Sequence, residues 1–80
     1  MMSINVKVII QGYLRELYPH LEELEHVVDD KPLKVLEVIS RLGIKPETVL
    51  FVMIEDRIVG KDYLVVSDTE LILVSPPAGG

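Results

Sequence analysis

Only one stretch of this eighty-residue chain has a helical period long enough to lie across a sheet. It is "DDKPLKVLEVISRLG", where Val35, Val38, Ile39 and Leu42 recur at the i, i+3, i+4, i+7 spacing of one buried stripe. Lys34, Glu37 and Arg41 fall on its wet side. Asp29 or Asp30 is placed to cap it, Pro32 suits its first turn, and Gly43 with Pro46 beyond it marks its end. One helix covers one face of one sheet, so the remaining apolar residues must be strands that share that cover.

The flanking segments read as strands. In "INVKVII" (residues 4–10), Val6, Val8 and Ile10 alternate with Asn5 and Lys7, and Gly12 breaks the run. In "YLRELYPHLEEL", Leu14, Leu17 and Tyr18 have helical spacing, but Pro19 limits it to one turn or a structured loop. "EHVVD" (residues 25–29) is β-prone and can pair with the first strand. "TVLFVMIE" (residues 48–55) predicts an apolar strand, "DRIVG" a turn and a short strand, "KDYLVVSD" a compact connection, and "TELILVS" (residues 69–75) the last strand. The order β–β–α–β–(β)–β predicts an α+β fold of β-grasp type. It has one mixed sheet of four to five strands and one main helix on one face. The expected division is a β-grasp domain over residues 1–75 and an extended tail over 76–80. A ferredoxin-like arrangement would need a second full helix, and Pro19 interrupts the one candidate.

Alternation also predicts which side chains face away from the helix. Leu71 and Leu73 are expected under it, with Ile72 and Val74 outward. Leu50, Val52 and Ile54 are expected to be buried, with Phe51 and Met53 outward beside Glu55. Phe51, Met53, Ile72 and Val74 together would make an apolar patch of the kind that marks a binding surface. Glu55 and Glu70 would form its charged rim.

Composition narrows the function. A chain this short buries only about 60% of its unfolded surface, which favours a carrier or binding module over a self-contained enzyme. It has no cysteine, so it has no disulfide, thiolate metal site or cysteine nucleophile. The formal net charge of −5 disfavours a phosphate backbone as partner. No apolar run approaches the length of a membrane span, and "MMSINVKVII" lacks the pattern of a signal peptide, so a cytoplasmic protein is expected. His20 and His26, with Glu22 or Glu23, read as solvated loop rather than a metal site. Ser3, Ser40, Ser67 and Ser75 sit in no nucleophile elbow, and Gly12, Gly43 and Gly60 form no phosphate-cradling loop. No catalytic side chain is expected.

That leaves the last residues, "SPPAGG". Pro76 and Pro77 have fixed φ and no N–H, so they end the last strand as a stiff stalk. After Ala78, Gly79 and Gly80 have no Cβ, so they can enter a narrow channel and carry a carboxylate to a phosphate.

The β-grasp order, "VKVII…LREL", the helix pattern "V..VI..L", "SDTELILV" and the final "PPAGG" together resemble the ubiquitin-like sulfur carriers. These are the small subunit of molybdopterin synthase and the thiamine-pathway sulfur carrier. The resemblance spans essentially the whole chain. "YLREL" is closer to the molybdopterin type and "GIKPETV" to the thiamine type, so both pathways stay open. It departs from the family at Ser67, at "IEDR", and in having only Ala78 between the proline pair and the glycine pair. The resemblance implies that a ubiquitin-activating-type adenylyltransferase, using its own ATP and magnesium, adenylates Gly80. It implies that sulfur then converts the adenylate to a thiocarboxylate for a sulfur-accepting synthase subunit. On that reading the chain is a co-substrate with no intrinsic cofactor, and it partners neither nucleic acid nor membrane. Two other readings remain: a ubiquitin-like modifier joined to lysines through Gly80, and an unreactive β-grasp interaction module.

Overall fold

The structure, a computed structural model, describes residues 3–75. Strand β1 (Ile4–Ile10) alternates as the sequence predicts: Ile4, Val6, Val8 and Ile10 are buried, and Asn5, Lys7 and Ile9 face the other way. Gly12 turns the chain at φ +58, a conformation open to glycine. A short helix α1 (Tyr13–Leu17) follows and drops Leu14 into the core, while Leu17 is exposed. Strand β2 (Leu24–Asp29) returns antiparallel to β1, pairing Val6 with Val27 and Ile9 with Leu24.

The main helix α2 runs Val35–Arg41, later than the sequence suggests. Neither Asp29 nor Asp30 caps it, and Pro32 lies before it rather than in its first turn. Leu33–Lys34 instead forms a two-residue strand β3, antiparallel to β6 (Leu64–Val65) inside the segment expected to be a plain connection. Tertiary hydrogen bonds account for the shift. The first helical N–H groups, which need acceptors, are taken by that segment: Val35 N–H donates to the Tyr63 carbonyl and Leu36 N–H to the Lys61 carbonyl, both at 2.9 Å. The Glu37 carboxylate also accepts from Lys34 N–H at 3.2 Å. The C-terminus behaves as predicted. Gly43, at φ +77, donates to the Ser40 carbonyl, and Ile44 donates back to Ile39, closing a Schellman motif.

Residues Pro46–Thr48 form a 3-10 turn, so the next strand β4 is Phe51–Ile54 rather than residues 48–55. That turn is pinned from outside. Tyr18 Oη accepts from Lys45 N–H at 3.0 Å, and Lys61 Nζ donates to the Pro46 carbonyl at 2.8 Å. Strand β5 (Arg57–Val59) pairs with β4, and β7 (Thr69–Val74) closes the sheet. The order is β2-β1-β7-β4-β5, with β7 parallel to β1 and every other pairing in this sheet antiparallel. The fold is thus α+β, a mixed five-stranded sheet with one main helix. The core is hydrophobic throughout among the described residues: Val35, Val38 and Ile39 of α2 share it with Val6, Val8, Ile10, Val52, Leu71 and Leu73. Each such side chain contributes about 1.5–3 kcal/mol by leaving water. Leu50 corrects the expectation of burial: it is 58% exposed. The 3-10 turn offsets the chain, Val49 takes the core position, and Leu50 is left holding the Val74 carbonyl through its N–H at 2.7 Å.

Glu55 (φ 50) and Asp56 (φ 64) form a two-residue hairpin loop in the left-handed region. Such loops favour Asn-Gly because a Cβ is strained there. Replacing Asp56→Gly should raise unfolding stability by about 0.5–1 kcal/mol, the relieved strain less the added chain entropy. Denaturant melts that show a loss instead would mean the Asp56 side chain stabilises the turn.

Across the edge of the layer, Arg41 of α2 pairs with Asp29 of β2. This guanidinium, aided by Asp30, whose N–H donates to Asp29 Oδ1 at 2.6 Å, holds the Asp29 carboxyl down at about 2 from an ordinary 3.8. Folding therefore favours the charged form. Its stabilisation is complete above about 3.8 and disappears as pH falls through about 2. The stability difference between the native chain and Asp29→Asn should close across that window. A difference still undiminished at the acid end would show that charge plays no part in this contact.

Candidate functional site: the open face of the sheet

Residues opposite one another in paired strands share a face, so the register reads out the surface away from α2. Ile72 of β7 sits beside Ile9 of β1 and opposite Met53 of β4. Ile9 lies opposite Leu24 of β2, and Met53 opposite Ile58 of β5. One apolar row therefore crosses all five strands: Leu24, Ile9, Ile72, Met53, Ile58. Next to it Val74 lies opposite Phe51. The row's ends stand in water, Leu24 at 45% and Ile58 at 67% exposure, while Ile9, Ile72, Met53, Phe51 and Val74 are half-buried by one another. Leu50 adds to this end, beside a shallow depression that Phe51 and Ile58 also line.

The structure thus brings together the four residues predicted to face outward, Phe51, Met53, Ile72 and Val74. The sequence reading missed Ile9, Leu24 and Ile58. Ile9 was legible, because it shares the parity of Asn5 and Lys7 in β1. Leu24 and Ile58 lie on the two edge strands, and their alignment depends on register across three ladders.

Toward the other end the face becomes polar. Lys7 lies between His26 and Glu70, and Asn5 N–H donates to Asp68 Oδ1 at 2.9 Å. Glu55, Asp56, Asp68 and Glu70 line a depression there together with Thr69 and Ile72. The expected rim residues Glu55 and Glu70 thus lie on one side of the patch rather than around it. A surface with an apolar half and a carboxylate-rich half suits a partner with an apolar strip bordered by cations.

The two histidines go to separate places. His20 Nε2 lies 3.2 Å from the Leu42 carbonyl at the end of α2, and His26 Nδ1 lies 3.1 Å from Asn5 Oδ1 on the open face. No cluster of metal-ligating side chains forms among the described residues. No helix among them is long and apolar enough to cross a membrane. The expected tail residues, Pro76, Pro77, Ala78, Gly79 and Gly80, lie outside the described residues. No protein-family model matches this chain, and a search of curated proteins finds no relative.

The two faces of β7 make opposite demands on a charge. Leu71→Asp buries a carboxylate among apolar groups and should abolish cooperative unfolding. Ile72→Asp leaves its carboxylate on the open face and should keep a cooperative melt, with a modest loss from Ile9 and Met53. Equal damage from both changes would mean that the open face is itself covered in the folded protein.

Proposed function

We propose that this chain is a β-grasp protein acting as a ubiquitin-like sulfur carrier, with Gly80 as the group it presents. The observation that supports this best is the position of the apolar row relative to the end of β7. Strand β7 runs in the middle of the sheet and ends at Val74, on the same side as the row. Residues 75–80 extend from there by at most about 20 Å. A partner that grips Ile9, Ile72, Met53 and Phe51 therefore has the glycine pair within reach of its own active site. The β1–β2 hairpin, the crossing helix α2 and the parallel return of β7 beside β1 support the β-grasp reading.

The chemistry belongs to the partner. A carboxylate oxygen of Gly80 would attack the α-phosphate of ATP held by the partner and release pyrophosphate, and a magnesium ion of the partner would supply charge balance for the phosphates. A sulfide-equivalent nucleophile, also supplied by a partner, then displaces AMP from the acyl carbon and leaves a thiocarboxylate. In a downstream synthase subunit the thiocarboxylate sulfur would bond to the acceptor, and water would then cleave the acyl–sulfur bond, leaving the sulfur on the acceptor and restoring the carboxylate. This chain supplies a docking face, a stiff exit at Pro76 and Pro77, and a lead-in at Ala78 and Gly79 without bulk. Molybdopterin and thiamine biosynthesis are the two pathways its residues resemble.

The test is the intact mass of the protein recovered from native cells. A fraction heavier by the difference between sulfur and oxygen, located at Gly80 and absent when Gly80 is deleted, is the expected result. The same measurement reads whether Gly80 carries the free carboxylate that the mechanism needs. Larger species linked to lysines would favour a protein modifier instead. An unmodified mass under every growth condition would overturn both.

A further inference from the structure

We infer that β2 is a self-recognition edge, through which two copies of this chain join their sheets about a two-fold axis at His26. This goes beyond the carrier reading and does not depend on it.

The argument begins with where the β2 backbone points. Ile10 N–H donates to the Glu23 carbonyl, so Glu23 and, by alternation, Glu25, Val27 and Asp29 turn their backbone groups toward β1. Leu24, His26 and Val28 therefore turn theirs outward, and no other strand pairs with β2 among the described residues. An edge of this kind is a template for another strand unless something blunts it. The usual devices are missing here. The strand contains no proline, lysine or positive φ. Its carboxylates are drawn back to their own chain: Glu25 accepts from Glu22 N–H at 2.7 Å, and Asp29 pairs with Arg41. What it shows outward is Leu24 and Val28, 45% and 55% exposed. The opposite edge, β5, has only three residues to offer.

A second copy fits this edge in one register. Antiparallel pairing must match outward residues with outward residues, or the two open faces would point to opposite sides. Placing His26 opposite His26 of the other copy sets Leu24 against Val28 and Val28 against Leu24. All three outward positions then pair, giving about six new backbone hydrogen bonds. The neighbouring registers pair fewer positions. Sliding one way sets Glu25 against itself, and sliding the other way sets Glu25 against Asp29. The His26 register places Glu25 against Val27 and leaves its like-charge contact at the margin, Glu23 against Asp29, whose carboxylate Arg41 already pairs. It also extends the apolar row of one copy onto Val28 of the other. The Phe51 and Val74 end stays free, with Val74 two strands away and Phe51 three.

Because the chain has no cysteine, single substitutions report this register directly. Two position-26 Cα atoms would lie about 5.5 Å apart in such a pair, within disulfide reach. Two position-28 atoms would lie about 14 Å apart, out of reach. His26→Cys should therefore cross-link under mild oxidation at least tenfold faster than Val28→Cys. The native protein supplies an independent reading. Amide exchange at Leu24, His26 and Val28 should slow as protein concentration rises, while exchange at Glu25 and Val27 should not respond. Sedimentation should show dimer over the same range. Equal cross-linking at positions 26 and 28, or exchange at the three outward amides that ignores concentration, would overturn the inference.

Discussion

The parallel ladder between β1 and β7 is the contact on which the rest depends. It joins the two ends of the described chain in the middle of the sheet. Val8 beside Leu71 and Ile10 beside Leu73 form the floor on which Val35, Val38 and Ile39 rest. A parallel pair cannot be closed by a tight turn, so everything between the two strands serves as the crossover. Loop closure over that span is costly in entropy, and the apolar burial under α2 is the term that offsets it.

This single-sided construction leaves the protein with an unpartnered face. With one main helix available, only one side of the sheet is covered, yet the second side is not polar throughout. Ile9, Ile72 and Met53 lie in one row because β1, β7 and β4 are neighbours, not because they are near in sequence. Their carboxylate-rich neighbours, Glu55, Asp56, Asp68 and Glu70, come from the β4–β5 turn and from around the start of β7, which the topology brings to the same end. An apolar half next to the exit of β7 and an anionic half away from it give the face a direction. The end of β7 therefore lies at the apolar half and the β4–β5 hairpin at the anionic half.

The second organising device is the stitching of the 61–63 segment to the start of α2. Val35 and Leu36 send their N–H groups to carbonyls more than twenty residues away, and β3 pairs with β6 alongside them. The helix is therefore short and held at both ends, by this segment at its N-terminus and by Gly43 at its C-terminus. Lys61 adds a hydrogen bond to Pro46 and ties the same segment to the turn that precedes β4. One loop thus positions both the helix and the strand that carries Phe51 and Met53.

Much of this was legible in the residues themselves. The alternation in β1 and β7 specifies which side chains meet the helix, because a strand's period is two whatever surrounds it. Gly43 ends α2 because only a residue without Cβ adopts its φ freely. Phe51, Met53, Ile72 and Val74 follow from the same alternation. What local pattern could not specify was every boundary set by a distant acceptor. Asp29 and Asp30 looked like caps, but Asp29 is drawn to Arg41 and the helical N–H groups are taken by Tyr63 and Lys61. Leu50 looked like core, but a 3-10 turn pinned by Tyr18 and Lys61 gave that place to Val49. The complete apolar row depended on register, which three ladders of hydrogen bonds decide together. Periodicity is a property of the chain and is written in it; the partner of a hydrogen bond is a property of the fold, and only the tertiary structure supplies it.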